Sequence, residues 1–432
     1  MPQPLIFEQK NLTLFFTIPY RWVTAIALLI VAQTGFAQNA SITGTVTDAA
    51  SKKRIPGANV FISNTSKGTV SDADGAFELH NIPPGKYELI ISETGYQTIV
   101  YPFSSEKLPL RLNVQMEIKV KQWETVNVTP FEKNGWEKWG RLFTESFLGQ
   151  SANAAECQIR NKEVIRFRYN KQTGLLEAVA DTLLLIENKA LGYLIRYQLE
   201  AFECNTRQRT VIYGGYPLFE AMNTDRKGKQ KRYASARRKA FYGSTMHFIR
   251  ALYYNQLTPQ GFEVRTLRKF PNEEKMRLKK LLGVRRMTNI SGTIRIDAAA
   301  EYAYPPDSAE YYRTIMKQPD FYEEIGAHLL TADSLLNPGL TADYKLFAFP
   351  YELLVIYKNE QPAPEFLRTQ WGQRDPHQTT RMFFITEENH QLHIYPNGSY
   401  FDPLELFLNG YMGWEKMAEM LPLEYEPVEQ IE

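Results

Sequence analysis

Between Ser41 and Tyr101 the chain breaks into short alternating apolar runs, each closed by Gly, Pro, Asn or Asp at near-regular spacing. Ile42-Thr43-Gly44-Thr45-Val46 runs into a turn at Asp48-Ala49-Ala50, and Pro56-Gly57 precedes Ala58-Asn59-Val60-Phe61-Ile62. Lys67-Gly68 bends the chain before Thr69-Val70-Ser71, and Asp72-Ala73-Asp74-Gly75 turns it again before Phe77-Glu78-Leu79. Pro83-Pro84-Gly85 leads into Tyr87-Glu88-Leu89-Ile90-Ile91, and Gly95-Tyr96 into Thr98-Ile99-Val100. Glycine supplies positive φ and proline presets φ at such corners. Strands this short, with turns this frequent, predict a small all-β sandwich. Side chains alternate across a strand, so Val60 and Ile62, Phe77 and Leu79, and Leu89 and Ile91 are expected on buried faces.

These residues resemble the carboxypeptidase regulatory-like family. The resemblance is carried by Gly44, Asp48, Pro56, Gly57, Ala58, Val60, Gly68, Thr69, Asp72, Gly75, Phe77, Pro84, Gly85, Tyr87, Leu89, Gly95 and Tyr96. The one departure is Arg54-Ile55 before Pro56-Gly57, where the family usually has a Pro-Leu or Pro-Ile step. The resemblance implies a seven-stranded transthyretin-like β-sandwich that is non-catalytic. It also implies a Bacteroidota-type envelope setting, where the module often fronts outer-membrane receptors.

Ahead of the sandwich, Trp22 to Val31 is an uncharged apolar run preceded by Arg21 and followed by Gly35-Phe36-Ala37. That pattern reads as a signal peptide over residues 1–37 cleaved after Ala37; an uncleaved anchor is the alternative, although the run is about half the length a spanning helix needs. Removing it leaves a net charge near +1 in place of +2. Such a balance gives no reason to expect nucleic acid as a partner. Only Cys157 and Cys204 are present, so the chain is no disulfide scaffold. An exported compartment would permit the two to pair; two separate buried thiols are the alternative.

The family name invites a test for zinc chemistry. None of His80, His247, His328, His377, His390 and His393 is followed three residues later by Glu, and no H-E-x-x-H occurs. Neither zinc constellation is therefore available. No G-x-S-x-G elbow, Walker A loop or G-x-G-x-x-G is present either. His390 and His393 are three apart, but Tyr395-Pro396-Asn397-Gly398 marks a strand and turn, and that spacing on a strand points to opposite faces. No cofactor or metal is expected.

The expected architecture is mainly β: the sandwich over 38–118, a linker over 119–135, and an α+β region over 136–432 in one or two subdomains. Trp136 to Leu148 places Trp136, Trp139, Phe143 and Phe147 on one helical face, with Gly149 as its stop. Residues 164–169, 175–180, 182–187, 191–199 and 211–213 read as a strand meander broken at Gly214-Gly215-Tyr216-Pro217. A helix is expected from Ser244 to Tyr254, a hairpin at Asn397-Gly398, and a terminal helix over Leu404 to Met420. The pattern is too mixed for the many-stranded barrel of a TonB-dependent transporter.

One charged run stands out: Arg226, Lys227, Lys229, Lys231, Arg232, Arg237, Arg238 and Lys239 lie within 14 residues that hold no acid. Such a block reads as a solvated mobile loop, or as a contact for an anionic membrane surface. Asp181-Thr182, Asp307-Ser308 and Asp333-Ser334 loosely resemble bacterial O-glycosylation acceptors. The function that fits is a non-enzymatic exported binding or scaffold protein, periplasmic or outer-membrane-associated, whose partner is an envelope protein or glycan. The alternative is an envelope hydrolase acting on peptide or glycan, with its carboxylates drawn from positions such as Glu145, Glu177, Glu220 or Asp402.

Overall fold

The computed structural model describes residues 40–119, 129–208, 210–281, 306–339, 343–370, 375–385 and 391–427. The leader and His390 lie outside these residues, as do all of residues 290–297, which read from sequence as an apolar strand.

The front of the chain is a sandwich of seven strands in two sheets. The strands are β1 (Ile42–Asp48), β2 (Asn59–Ile62), β3 (Gly68–Val70), β4 (Ala76–Leu79), β5 (Lys86–Ser92), β6 (Ile99–Ser104) and β7 (Leu110–Met116). One sheet runs β4-β1-β7 and the other β3-β2-β5-β6. β1 pairs antiparallel with β4 and parallel with β7 along its whole length. The expected inward residues, Val60, Ile62, Phe77, Leu79, Leu89 and Ile91, are all buried between the sheets. Phe61 and Ile90 point the opposite way and are equally buried. They pack on Leu183 and Leu218 of the next unit, so the sandwich has a covered outer face.

The second unit is a six-stranded sheet: β8 (Cys157–Ile159), β9 (Ile165–Asn170), β10 (Leu175–Ala180), β11 (Leu184–Asn188), β12 (Tyr193–Asn205) and β13 (Thr210–Ala221). β12 and β13 form one long antiparallel ribbon with a register shift between Leu199 and Ala201. The break expected at Gly214-Gly215-Tyr216-Pro217 does not occur. Gly215 is instead where the ribbon closes tightly, since a Cβ there would lie 2.1 Å from the Gln198 carbonyl oxygen. Helix α1 (Gly135–Phe147) lays Phe143 and Phe147 onto Phe167, Tyr197, Phe202 and Tyr213, as its aromatic spacing requires. Gly149 follows the helix at φ +103°.

Helix α2 (Lys227–Phe241) and helix α3 (Thr245–Tyr253) lead into the third unit. Ser244 caps α3, its hydroxyl accepting from the His247 backbone N–H at 3.2 Å. The third unit holds β14 (Phe262–Pro271), helix α4 (Glu273–Leu281), helix α5 (Pro306–Lys317), β15 (Phe321–Ile325), β16 (Leu336–Pro338), β17 (Lys345–Ala348), β18 (Glu352–Tyr357), β19 (Gln378–Phe384), β20 (Gln391–Ile394), β21 (Tyr400–Phe401) and β22 (Leu406–Gly410). One sheet runs β15-β14-β18-β19-β22 and the other β16-β17-β20-β21. Phe248, Ile249 and Leu252 of α3 fill the space between them with Phe262, Phe347 and Val355. The Asn397-Gly398 turn joins β20 to β21 as expected.

The terminal helix expected over Leu404 to Met420 is replaced by β22, a short helical turn at Tyr411–Trp414 and a 3-10 turn at Met417–Glu419. The reason is local: Gly410 at φ +121° ends any helix there, and Leu406 to Gly410 pairs along the open edge of β19.

Candidate functional site

The last residues of the described chain, Tyr411 to Pro427, form a strap that touches every unit. Met417 and Leu421 are buried in the core of the second unit, and Leu423 packs against the core of the sandwich. The Ala418 N–H donates to the Leu148 carbonyl at 3.1 Å, and the Leu423 N–H to the Asn64 carbonyl at 2.7 Å. Asn188 donates its side-chain amide to the Ala418 carbonyl at 2.9 Å. From α3, the Arg250 guanidinium donates to the carbonyls of Asn397, Leu423 and Tyr425 at 3.0, 2.9 and 2.9 Å, and reaches Glu426 at 3.2 Å. One buried arginine thus ties the strap to the third unit.

Where the strap crosses, the three units line a half-open cavity of about 340 Å³. Its walls include Tyr87 and Glu88 from β5, Tyr213 from β13, Met246 from α3, Tyr400 and Phe401 from β21, and Glu415 to Leu421 from the strap. The wall is apolar for most of its area, with a few polar groups set into it, which is the composition of a small-molecule site.

Those polar groups divide by position. Burial pushes the Glu415 carboxyl well above the usual carboxylate range, with Glu419 and Glu360 adding to the rise. Burial also raises Glu419, although Ser151 and Asn153 both donate to its carboxylate. Glu88 is raised by burial and then by Asp402. Lys416 is lowered, and burial is the whole cause. Its Nζ lies 5.9 Å from the Tyr213 ring centre, and Gly149, at positive φ, lets the lysine stem pack closely against the end of α1. Burial raises both cavity phenols, Tyr400 to about 12 and Tyr213 further, with Tyr400 contributing to the rise at Tyr213.

The residues singled out from sequence lie elsewhere. The basic run is helix α2, not a loop, because Tyr233, Ala240 and Phe241 give it a buried stripe. Arg237 is structural: it donates to the carbonyls of Leu191 and Gly192 at 2.7 and 3.0 Å and stacks on Tyr193. Arg232 reaches the Lys189 carbonyl and Glu156. Lys239 sits close enough to Glu360 and Glu419 to lower both. Arg226, Lys227, Lys229 and Lys231 are exposed, and Arg238 is half-buried.

Cys157 and Cys204 are both free thiols, so the disulfide considered from sequence is not formed. Cys157 lies opposite Asn188, which pairs with Tyr193 at one end of β12, whereas Cys204 lies at the other end of β12 opposite Leu176. The two are a strand length apart, far beyond the roughly 7 Å a disulfide can span. Burial pushes the Cys157 thiol up to about 12.

Glu145 pairs with Arg141 on α1, Glu220 with Arg196, and Asp402 caps the Leu404 N–H, while Glu177 sits on β10 opposite Arg168 and Glu203. None of the four lines the cavity. Among the described residues no His, Cys, Asp and Glu cluster could hold a metal ion. His393 stacks on Tyr344 with ring centres 4.6 Å apart. No helix among the described residues is long and apolar enough to cross a membrane.

The two sheets of β1 to β7 and their parallel β1–β7 closure define the front of the chain as a small β-sandwich module. It is a CarboxypepD_reg-like domain, whose family model matches residues 42–128. Over 105 residues, 23% of this chain, the protein is 31% identical to the TonB-dependent transporter Oar of Myxococcus xanthus; the match spans 9% of that protein's length. Among solved structures it is similar to BcpA, the major pilin subunit of Bacillus cereus, at 18% identity and a TM-score of 0.17, over 19% of this chain and 30% of that one. It is also similar to a putative membrane-associated protein of unknown function from Bacteroides fragilis, at 10% identity and a TM-score of 0.14, over 86% and 98% of the two chains. At these TM-scores neither structural likeness carries an argument.

Proposed function

We propose that the protein is an exported cell-envelope binding or scaffold protein without catalytic chemistry of its own. The observation that carries this reading is the front domain: residues 42–128 are a CarboxypepD_reg-like module, and one stretch of the chain resembles part of a TonB-dependent transporter. The burial of Phe61 and Ile90 against Leu183 and Leu218 fits a module held firmly on its body, presenting its remaining loops and edge strands to an envelope protein or glycan. Helix α2 supplies a second contact, for an anionic membrane surface, through the stripe of Lys227, Lys231 and Arg238. An affinity pull-down of the tagged chain from its own envelope fraction, read by mass spectrometry, tests the reading. Reproducible recovery of one membrane protein or envelope complex is expected. Recovery of only what a tag-alone control recovers would overturn it.

A further inference from the structure

The cavity under the strap is lined by hydrogen-bonding groups that the protein itself leaves unused. Among the described residues, the Lys416 ammonium and the hydroxyls of Tyr213 and Tyr400 have no hydrogen-bond or ion-pair partner, yet all three line one half-open cavity; the second lysine there, Lys86, lies over the Phe401 ring and acts on Glu88. The neighbouring guanidinium groups are treated differently. Arg250 is matched by three carbonyls and Glu426, and Arg237 by two carbonyls and a tyrosine face. An ammonium drawn out of water with nothing opposite it is costly, so the fold carries an expense at Lys416 that a bound anion would offset.

We propose that this cavity binds a compact apolar monocarboxylate, a fatty-acid-like molecule, with its carboxylate on Lys416, Tyr213 and Tyr400 and its hydrocarbon body among the methionines.

The head chemistry follows from the donors. One ammonium and two phenols lining the same cavity supply a single positive charge and three kinds of donor, which match the two oxygens and single charge of a carboxylate. A phosphate, at nearly twice that charge, would be undercompensated, because the second lining lysine, Lys86, already acts on Glu88. The body chemistry follows from the wall. Met246, Met412 and Met420 with Leu408 and Leu421 offer flexible, polarisable side chains that shape themselves to an alkyl chain. A volume of about 340 Å³ suits a ligand at the small end of the usual range.

The cavity also contains carboxyl groups, and their placement decides against a cationic head. Glu419 and Glu360 both raise Glu415, whereas Lys416 is shifted by burial alone, and among the described residues no ion pair joins it to an acid. Glu419 is already occupied by Ser151 and Asn153, and burial favours a neutral Glu415. Neither is an open counter-ion for an amine, and the third lining carboxyl, Glu88, already has Lys86 beside it as a counter-charge. The inference stands apart from the envelope-partner reading, because occupancy of the cavity is read without any partner.

Calorimetric titration of the purified full chain with decanoate, decanol and decylamine tests it, the three probes sharing one apolar body and differing in head charge. Decanoate should bind at least tenfold more tightly than decanol, the difference expected for a charge-assisted hydrogen bond in a buried site. Lys416→Met, which keeps the apolar stem, should erase that advantage while leaving decanol binding unchanged. Tyr213→Phe combined with Tyr400→Phe should reduce it in part. Equal binding of decanoate and decanol, a preference for decylamine, or no binding of any of the three would overturn the proposal. The comparison on the unaltered protein decides the matter even where a variant fails to fold.

Discussion

His247 lies on the buried face of α3 with both ring nitrogens engaged. Nδ1 accepts from the Gly243 N–H at 3.1 Å, and Nε2 lies 3.0 Å from Gln260 Oε1, which fixes Nε2 as the protonated nitrogen of a neutral ring. The rings of Phe241, Tyr242, Phe262 and Tyr357 surround it. Burial depresses its pKa from 6.5 to about 4, Gln260 opposing the fall. The folded value lies below the unfolded one, so the unfolded chain takes up a proton first as pH falls. The stability this neutral ring supplies is therefore complete above pH 6.5 and drains away between pH 6.5 and about 4. A shift of this size corresponds to about 3 kcal/mol. His247→Gln should be less stable than the natural protein at pH 7.5, and the gap should close as pH falls through that window. Denaturant melts at a series of pH values measure it; a gap independent of pH would show that the histidine titrates normally in the fold. The sequence marked His247 only as a histidine lacking a zinc partner. The tautomer-fixing contact with Gln260 arises from the α3–β14 connection, which carries no motif.

At the scale of elements, the readings that succeeded rested on periodicity with a strong punctuation mark. α1 was legible because four aromatics share one face before Gly149, and α3 because Ser244 precedes an apolar stripe. The readings that failed gave local residues more weight than tertiary pairing. Gly214, Gly215 and Pro217 signal a turn in isolation, yet β12 captures them as a strand because small residues let the ribbon close around the Tyr197 ring. Likewise the open edge of β19 draws Leu406 to Gly410 into a strand. The second covered face of the sandwich was not read from sequence, although Phe61 and Ile90 carried a signal for it, since a solvent-facing strand position rarely holds so large an apolar side chain. Helix α2 changes the surface prediction drawn from composition. Over a 100° step per residue, Lys227, Lys231 and Arg238 fall within about 40° of one another, whereas Arg232 and Arg237 are committed to backbone carbonyls. Only the former three can act as one stripe. Neutralising them together, as Lys227→Gln, Lys231→Gln and Arg238→Gln, should weaken binding to phosphatidylglycerol vesicles by roughly two orders of magnitude, at about 1 kcal/mol per charge. Binding should also fade with salt. Sedimentation unaffected by the triple change would remove the membrane contact.

At the scale of the whole molecule, the sequence showed a front domain and a body but not the place where they meet. The candidate site is built from β5, β13, α3, β21 and a strap separated from β5 by more than 300 residues of chain. No spacing rule links such positions; closure comes from the strap, and the strap is held by Arg250. Its fork satisfies three main-chain carbonyls from two separate segments, Asn397 in the β20–β21 turn and Leu423 and Tyr425 in the strap. Arg250→Met would leave those carbonyls buried and unpaired, at a cost of about 3 kcal/mol. Arg250→Lys would recover little, because a single ammonium cannot reproduce a planar fork directed at several acceptors. The loss should be local in its first effect. In hydrogen exchange, the Leu423 amide bonded to Asn64 should open faster in both variants, while amides of β2 and β5 inside the sandwich should keep their protection. Uniform acceleration across the sandwich would instead mean that front domain and body unfold as one unit, with Arg250 a core residue rather than a latch. If the latch opens alone, the cavity loses one wall with it, so any ligand held beneath the strap should slow strap exchange in the natural protein and have no such effect once Arg250 is replaced.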